Sequence, residues 1–226
     1  LKVVFFGTPE FALPSLRALV SAGYTVPLVV TRADKPAGRG KKLTPPPVKL
    51  EAQRFGIPVL QPEGKEQELL RRLKELEPDL AVVVAYGRFL PEGVLKVPRY
   101  GFVNLHPSLL PEYRGASPIQ SALLDGKKTT GVTVLKVTPE LDAGDILSQV
   151  RVPISRSDNA KTLSDRLAKV GAELLLNTIP RYVSGEITPV PQEHSRATYC
   201  YQIRKDMGRI DWKLPAERIF NMVRAF

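Results

Sequence analysis

The chain has 226 residues with 33 basic against 23 acidic side chains, a net charge of +10, and 43% of its residues are hydrophobic. This is enough for one sizeable domain with a buried core, or one domain and a piece of another. No apolar run reaches the length of a membrane span, and the apolar opening at residues 1–6 is too short for a secretory signal. A single cysteine, Cys200, excludes an internal disulfide framework and suits a reducing cytoplasm. Together with His106 and His194 it is too little for a zinc site, so no metal is expected.

Residues 2–7 form a β-branched and aromatic run ending in Gly7, the pattern of a buried first strand. Thr8-Pro9-Glu10 then reads as a helix start, with Thr as N-cap and Pro in the first turn, and Gly23 ends that helix. Residues 26–31 predict a second buried strand. A helix at 48–55, stopped by Gly56, and a short strand near Val59 follow. Leu69, Leu70, Leu73 and Leu76 mark a surface helix over 66–77. Residues 80–85 and 102–105 are apolar strands, and 117–124 is a helix capped by Ser117. The stretches 132–137 and 146–152 alternate as strands of a pair outside the parallel core. A long helix spans 162–183, with Pro180 expected to bend or end it.

Apolar strands separated by amphipathic helices predict an α/β fold, a Rossmann-like, mostly parallel sheet with helices on both faces. Residues 1–185 are expected to form this domain. The Pro-punctuated stretch 186–206 reads as a linker, and 207–226 as the beginning of a second domain whose remainder is absent.

In such sheets ligands collect beyond the carboxyl ends of the strands. Asn104 and His106 stand at one such end, and two residues apart on a strand they face the same way. The Asn104 amide can donate to a carbonyl oxygen that is becoming negative, and His106 can add a donor or carry a proton. Asp142, in the Gly-containing stretch Leu141-Asp142-Ala143-Gly144-Asp145, can hold the ring and accept the proton of an attacking amine. Alone, an Asn-x-His pair also fits a strand-end amide and a core histidine satisfied by backbone. Pro107 and Pro111 stiffen the loop Ser108-Leu109-Leu110, giving apolar side chains to press a flat ring. A dinucleotide site is disfavoured, since no G-x-G-x-x-G follows the first strand.

With N-x-H-x-S-L-L-P followed in order by D-x-G-D, the chain resembles the formyltransferases that draw a one-carbon unit from 10-formyltetrahydrofolate. Phe6 to Phe11, Pro36 to Lys42, Ala85-Tyr86-Gly87, Arg114 to Gln120 and Ile210-Asp211-Trp212 narrow the resemblance to the methionyl-tRNA formyltransferase family. Pro107 departs from the Gly of many tRNA-formylating members, and Ser117 from a more usual Ala. That resemblance implies Asn104, His106 and Asp142 as the catalytic trio, Ser108, Leu109, Leu110 and Pro111 as the folate contact, and Arg88, Phe89 and Leu90 as the lining of the pteridine pocket. It also implies initiator methionyl-tRNA as partner and 10-formyltetrahydrofolate as co-substrate, without a metal or membrane, in a monomeric cytoplasmic enzyme. The missing part would be a C-terminal β-barrel. Alternatives are a formyltransferase for a small amine (a sugar nucleotide or purine precursor), a formyl-folate hydrolase, or an RNA-binding module with an inactive crevice.

The positive charge is concentrated. Arg32, Lys35, Arg39, Lys41, Lys42 and Lys49 stand against Asp34 alone in a Pro/Gly-rich stretch. Such a cluster can meet phosphates, and by the resemblance Lys35, Arg39, Lys41 and Lys42 would contact the tRNA acceptor end. Neutralising Arg39, Lys41 and Lys42 together is expected to raise the KM for methionyl-tRNA and to leave folate binding nearly unchanged. Steady-state kinetics with each substrate varied in turn checks this, and unchanged tRNA kinetics would discard the role.

Overall fold

The structure is a computed structural model that describes residues 1–37, 42–64 and 66–226. In chain order its elements are β1 (Val3–Gly7), α1 (Leu13–Ser21), β2 (Val29–Val30), β3 (Lys35–Ala37), β4 (Lys42–Thr44), α2 (Pro47–Arg54), β5 (Val59–Leu60), α3 (Glu66–Leu76) and β6 (Leu80–Val84). They continue with α4 (Glu92–Leu95), β7 (Phe102–His106), β8 (Arg114–Gly115), α5 (Pro118–Leu124), β9 (Thr129–Lys136), β10 (Ile146–Pro153), α6 (Ala160–Val183), β11 (Tyr199–Cys200) and α7 (Ala216–Ala225).

One seven-stranded sheet has the order β10-β9-β7-β6-β1-β2-β5. From β7 to β5 every neighbouring pair is parallel, whereas β9 runs antiparallel to both β7 and β10. The 132–137 and 146–152 strands expected outside the core therefore extend the same sheet at one edge. Alternation along the strands divides the interior in two. Val3, Phe5, Val82 and Leu105 join α1, α2, α5 and α6 on one face. Val4, Phe6, Ala81 and Phe102 join α3 and α4 on the other. This is the expected sheet with helices on both faces.

Two local differences have physical causes. The strand expected over 26–31 is reduced to two ladder residues, because Pro27 has no N–H to give. Thr8 does not cap α1; its hydroxyl donates to the Tyr86 carbonyl (3.0 Å), and a 3₁₀ turn over Glu10–Ala12 precedes the helix. Pro180 sits inside α6, which continues to Val183.

The segment 186–206 runs back along the sheet. Val190 exchanges backbone hydrogen bonds with Ile146 (2.8 and 2.9 Å), and β11 pairs in parallel with β8. The helix α7 packs over α5, and Ala225 is buried in the larger core cluster. An amphipathic helix is stable only with its apolar face covered, and here the first domain covers it.

At the start of α6, Asn159 Oδ1 accepts from Thr162 N (3.0 Å) and Thr162 Oγ1 accepts from Asn159 N (3.0 Å), a reciprocal cap. Removing it in Asn159→Ala is expected to cost about 1 kcal/mol, read as a lower urea midpoint at unchanged slope.

Candidate active site

The C-terminal ends of β1, β6 and β7 open onto a crevice of about 1000 Å³, lined among others by Thr8, Phe11, Tyr86, Asn104, His106 and Asp142. It lies where the chain, having built β2 and β5 outward from β1, crosses back to lay β6 on the other side of β1. Loops leaving adjacent strands diverge at such a reversal, which leaves space between them.

Register places Asn104 opposite Val83 on β6 and Leu135 on β9, and His106 opposite Thr133. By alternation Phe102, Asn104 and His106 share a face. Phe102 fills the core beneath α3 and α4, and the two polar side chains continue that face into the crevice. Asn104 Nδ2 donates to Asp142 Oδ1 at 3.2 Å. The Gly115 backbone N–H donates to Asp142 Oδ2 at 2.9 Å. His106 Nδ1 faces the same Oδ2 at 3.6 Å, longer than a hydrogen bond. The expected trio therefore converges within reach of one small group.

The tautomer of His106 follows from its other contact. Nε2 lies 2.8 Å from the Tyr113 carbonyl oxygen, which can only accept, so Nε2 carries a proton. The other ring nitrogen, Nδ1, is the atom facing Asp142. Tyr113 is itself anchored. Its hydroxyl donates to Asp125 (2.7 Å), and burial together with that carboxylate pushes the phenol far above its ordinary range, so it stays a donor. Cys200 Sγ donates to the same Tyr113 carbonyl (3.4 Å), and burial raises its thiol too, so it stays protonated.

Asp142 accepts only from neutral donors, and among the described residues no lysine or arginine pairs with it. Its carboxylate is 12% exposed. The loop that presents it is tight. A Cβ on Gly144 would lie 1.9 Å from the Lys136 carbonyl oxygen, and Asp142 adopts φ +48°.

The other expected site residues divide. Arg88, Phe89 and Leu90 line the crevice; Arg88 donates to the Pro62 carbonyl (2.7 Å), and Phe89 is 71% exposed. Ser108, Leu109, Leu110 and Pro111 stand beside its lining, next to Pro107. Ser108 donates to the Glu112 carbonyl (2.6 Å), Leu110 N donates to Thr133 Oγ1 (3.2 Å), and Gln149 donates to the Leu110 carbonyl (2.8 Å). The loop is turned toward β9 and β10, because its own backbone groups need those partners once buried. The crevice wall instead includes Val137, Thr138, Leu141 and Ala143, which the sequence reading did not select.

In the basic stretch, Lys35 and Lys42 are exposed on the paired strands β3 and β4, and Arg39 and Lys41 lie outside the described residues. Lys49 is bound to Asp34 (2.8 Å), whose carboxyl the Gln61 amide and Lys49 hold below the usual range. Among the described residues no cluster of three or more His, Cys, Asp or Glu is placed to hold a metal, and no helix is long and apolar enough to cross a membrane.

Residues 1–179 match the family described as formyl transferase. The chain is 50% identical over 225 residues to the methionyl-tRNA formyltransferase of Geobacillus sp. (strain WCH70), covering 99% of itself and 71% of that protein. With the one from Thermodesulfovibrio yellowstonii it is 51% identical over 223 residues, covering 98% and 72%. Among solved structures, an N-formyltransferase from Helicobacter canadensis, in complex with folinic acid and dTDP-3-aminofucose, shares the fold with a TM-score of 0.78 at 21% identity, over 100% of this chain and 80% of that one. Phosphoribosylglycinamide formyltransferase from Bacillus halodurans superposes with a TM-score of 0.68 at 27% identity, over 82% and 97%. With a family match over most of its length and half its residues shared with proteins of one activity, the chain belongs to the formyl transferase family, among its methionyl-tRNA formyltransferases.

Proposed function

We propose that the crevice transfers the formyl group of 10-formyltetrahydrofolate to the α-amine of initiator methionyl-tRNA, giving N-formylmethionyl-tRNA for translation initiation. The observation that carries the reading is the convergence of Asn104, His106 and Asp142 at the mouth of a crevice large enough for a folate. Kinship with methionyl-tRNA formyltransferases supports the choice of amine.

In this reading Arg88, Phe89 and Leu90, with Val137 to Ala143, hold the flat heterocycle and direct its formyl group toward β7. Ser108, Leu109, Leu110 and Pro111 act at one remove, by fixing the end of that strand. As the amine attacks the formyl carbon, the carbonyl oxygen gathers negative charge. Asn104 Nδ2, which has a second N–H beyond the one given to Asp142, donates to it, and His106 Nδ1 adds a donor when protonated. Asp142 takes a proton from the nitrogen that has become positive, a proton from His106 Nδ1 goes to the departing folate nitrogen, and the proton on Asp142 then returns to Nδ1, which restores both groups. The amine has then exchanged one hydrogen for the formyl group, and tetrahydrofolate leaves with one hydrogen more. Holding both reactants against the trio removes much of the entropic part of the barrier. Residues 1–185 carry the crevice, and Lys35 and Lys42, with Arg39 and Lys41, meet the acceptor-stem phosphates. We take the enzyme to be monomeric and cytoplasmic.

The test incubates the full chain with 10-formyltetrahydrofolate and, in separate arms, methionyl-tRNA, small amines or water alone, and identifies the formylated product by mass. N-Formylmethionyl-tRNA is expected. Product only with a small amine, or only formate, would replace this reading by another. His106→Ala is expected to abolish turnover with an unchanged circular dichroism spectrum, and Asn104→Ala to lower kcat by about 10²–10³. Gly144→Ala, which must push the Asp142 loop off the Lys136 carbonyl, is expected to cost on the order of 10² in turnover.

A further inference from the structure

Gln192 belongs to the segment expected to be a linker, beyond the 1–179 match to the family, and yet its side chain is buried with every polar atom engaged. Its Nε2 donates to the backbone carbonyls of Asp142 (2.8 Å) and Gly144 (2.7 Å). Its Oε1 accepts from Arg114 Nε (3.1 Å) and the adjacent guanidinium nitrogen (2.8 Å). Arg114 can only donate and the two carbonyls can only accept, so the amide has one satisfied orientation.

The same segment grips Asp142 from two further directions. Val190 pairs with Ile146 just after the Asp142 loop, and β11 pairs with β8, whose Gly115 gives its N–H to Asp142 Oδ2. The β8–β11 approach is close, since a Cβ on Gly115 would meet the Cys200 carbonyl oxygen at 2.2 Å. Backbone and carboxylate of one residue are thus framed by a stretch some 50 residues further along the chain.

We propose that Gln192 is a positioning residue for Asp142: bridging Arg114 to the carbonyls of Asp142 and Gly144, it holds the carboxylate in the left-handed turn where it meets Asn104 and His106. This rests on the catalytic reading of Asp142. Asp142 stands at φ +48°, in the region that favours glycine, and an outside hold keeps the loop there. The double donor of Gln192 is such a hold, and it makes no contact with the crevice itself.

The decisive variant is Gln192→Glu, which keeps size and the acceptor for Arg114 but turns an oxygen toward two carbonyl oxygens. In the full chain we expect kcat to fall about 10–100-fold, KM for both substrates to stay within about threefold, and the acid limb of the kcat–pH profile to move. Asp142→Asn with Gln192→Glu should be no slower than Asp142→Asn alone, as for two residues acting through one group. A wild-type kcat and pH profile, or fully additive losses, would overturn the proposal. If Gln192→Glu does not fold, Gln192→Met, which fills the same space without donors, takes its place under the same expectations. Failure of both to fold would mark Gln192 as a folding residue and overturn it too. Wild-type protein that forms no N-formyl product in any arm defeats the catalytic reading itself, an outcome distinct from an active wild type with an indifferent Gln192 variant.

Discussion

The carboxylate of Asp142 is divided between an amide at the end of β7 and the backbone N–H of Gly115, and it faces Nδ1 of His106. Those contacts tie together the end of a parallel strand, the loop after β9 and the short strand β8. A carboxylate offers several acceptor directions, so it can join three pieces of chain. The crevice depends on that meeting. Moving any of the three pieces by an ångström would leave Asn104, His106 and Asp142 addressing different points in space.

The electrostatic logic is one of separation. Arg114 is nearly fully buried, but its guanidinium is spent on Gln192, on His194 (3.2 Å) and on the more distant Glu140 (3.8 Å). It therefore stabilises the frame without pairing with Asp142. The Gln192 amide passes the geometry of that frame on to the Asp142 loop.

Some of this was legible along the chain. The apolar runs of β1, β6 and β7 identify themselves, since a strand buried on both faces tolerates few polar residues. Asn104 and His106 could be paired because alternation on a strand is a local rule. The roles of Ser108 to Pro111 were not legible in the same way. Two prolines and apolar side chains suit either a wall of a cleft or a loop packed on its neighbours. Only the positions of Thr133 and Gln149, on strands later in the chain, turn that loop inward. Gln192 was missed because nothing in a Pro-punctuated stretch marks one glutamine as buried; its partners are Arg114 and the backbone of residues 142 and 144. Thr8 reads as a cap from its neighbours in sequence, but its hydroxyl finds Tyr86 across the sheet.

By itself the sequence determined the α/β layering, the strand that carries Asn104 and His106, and the family to which they point, because periodicity, strand alternation and short motifs act over a few residues. Tertiary structure decided that β9 and β10 complete the sheet, that α7 covers α5, and that Asp142 is held by a residue far along the chain. Those outcomes rest on hydrogen bonds and apolar faces finding partners tens of residues away. No local pattern encodes which of several suitable partners will be the near one.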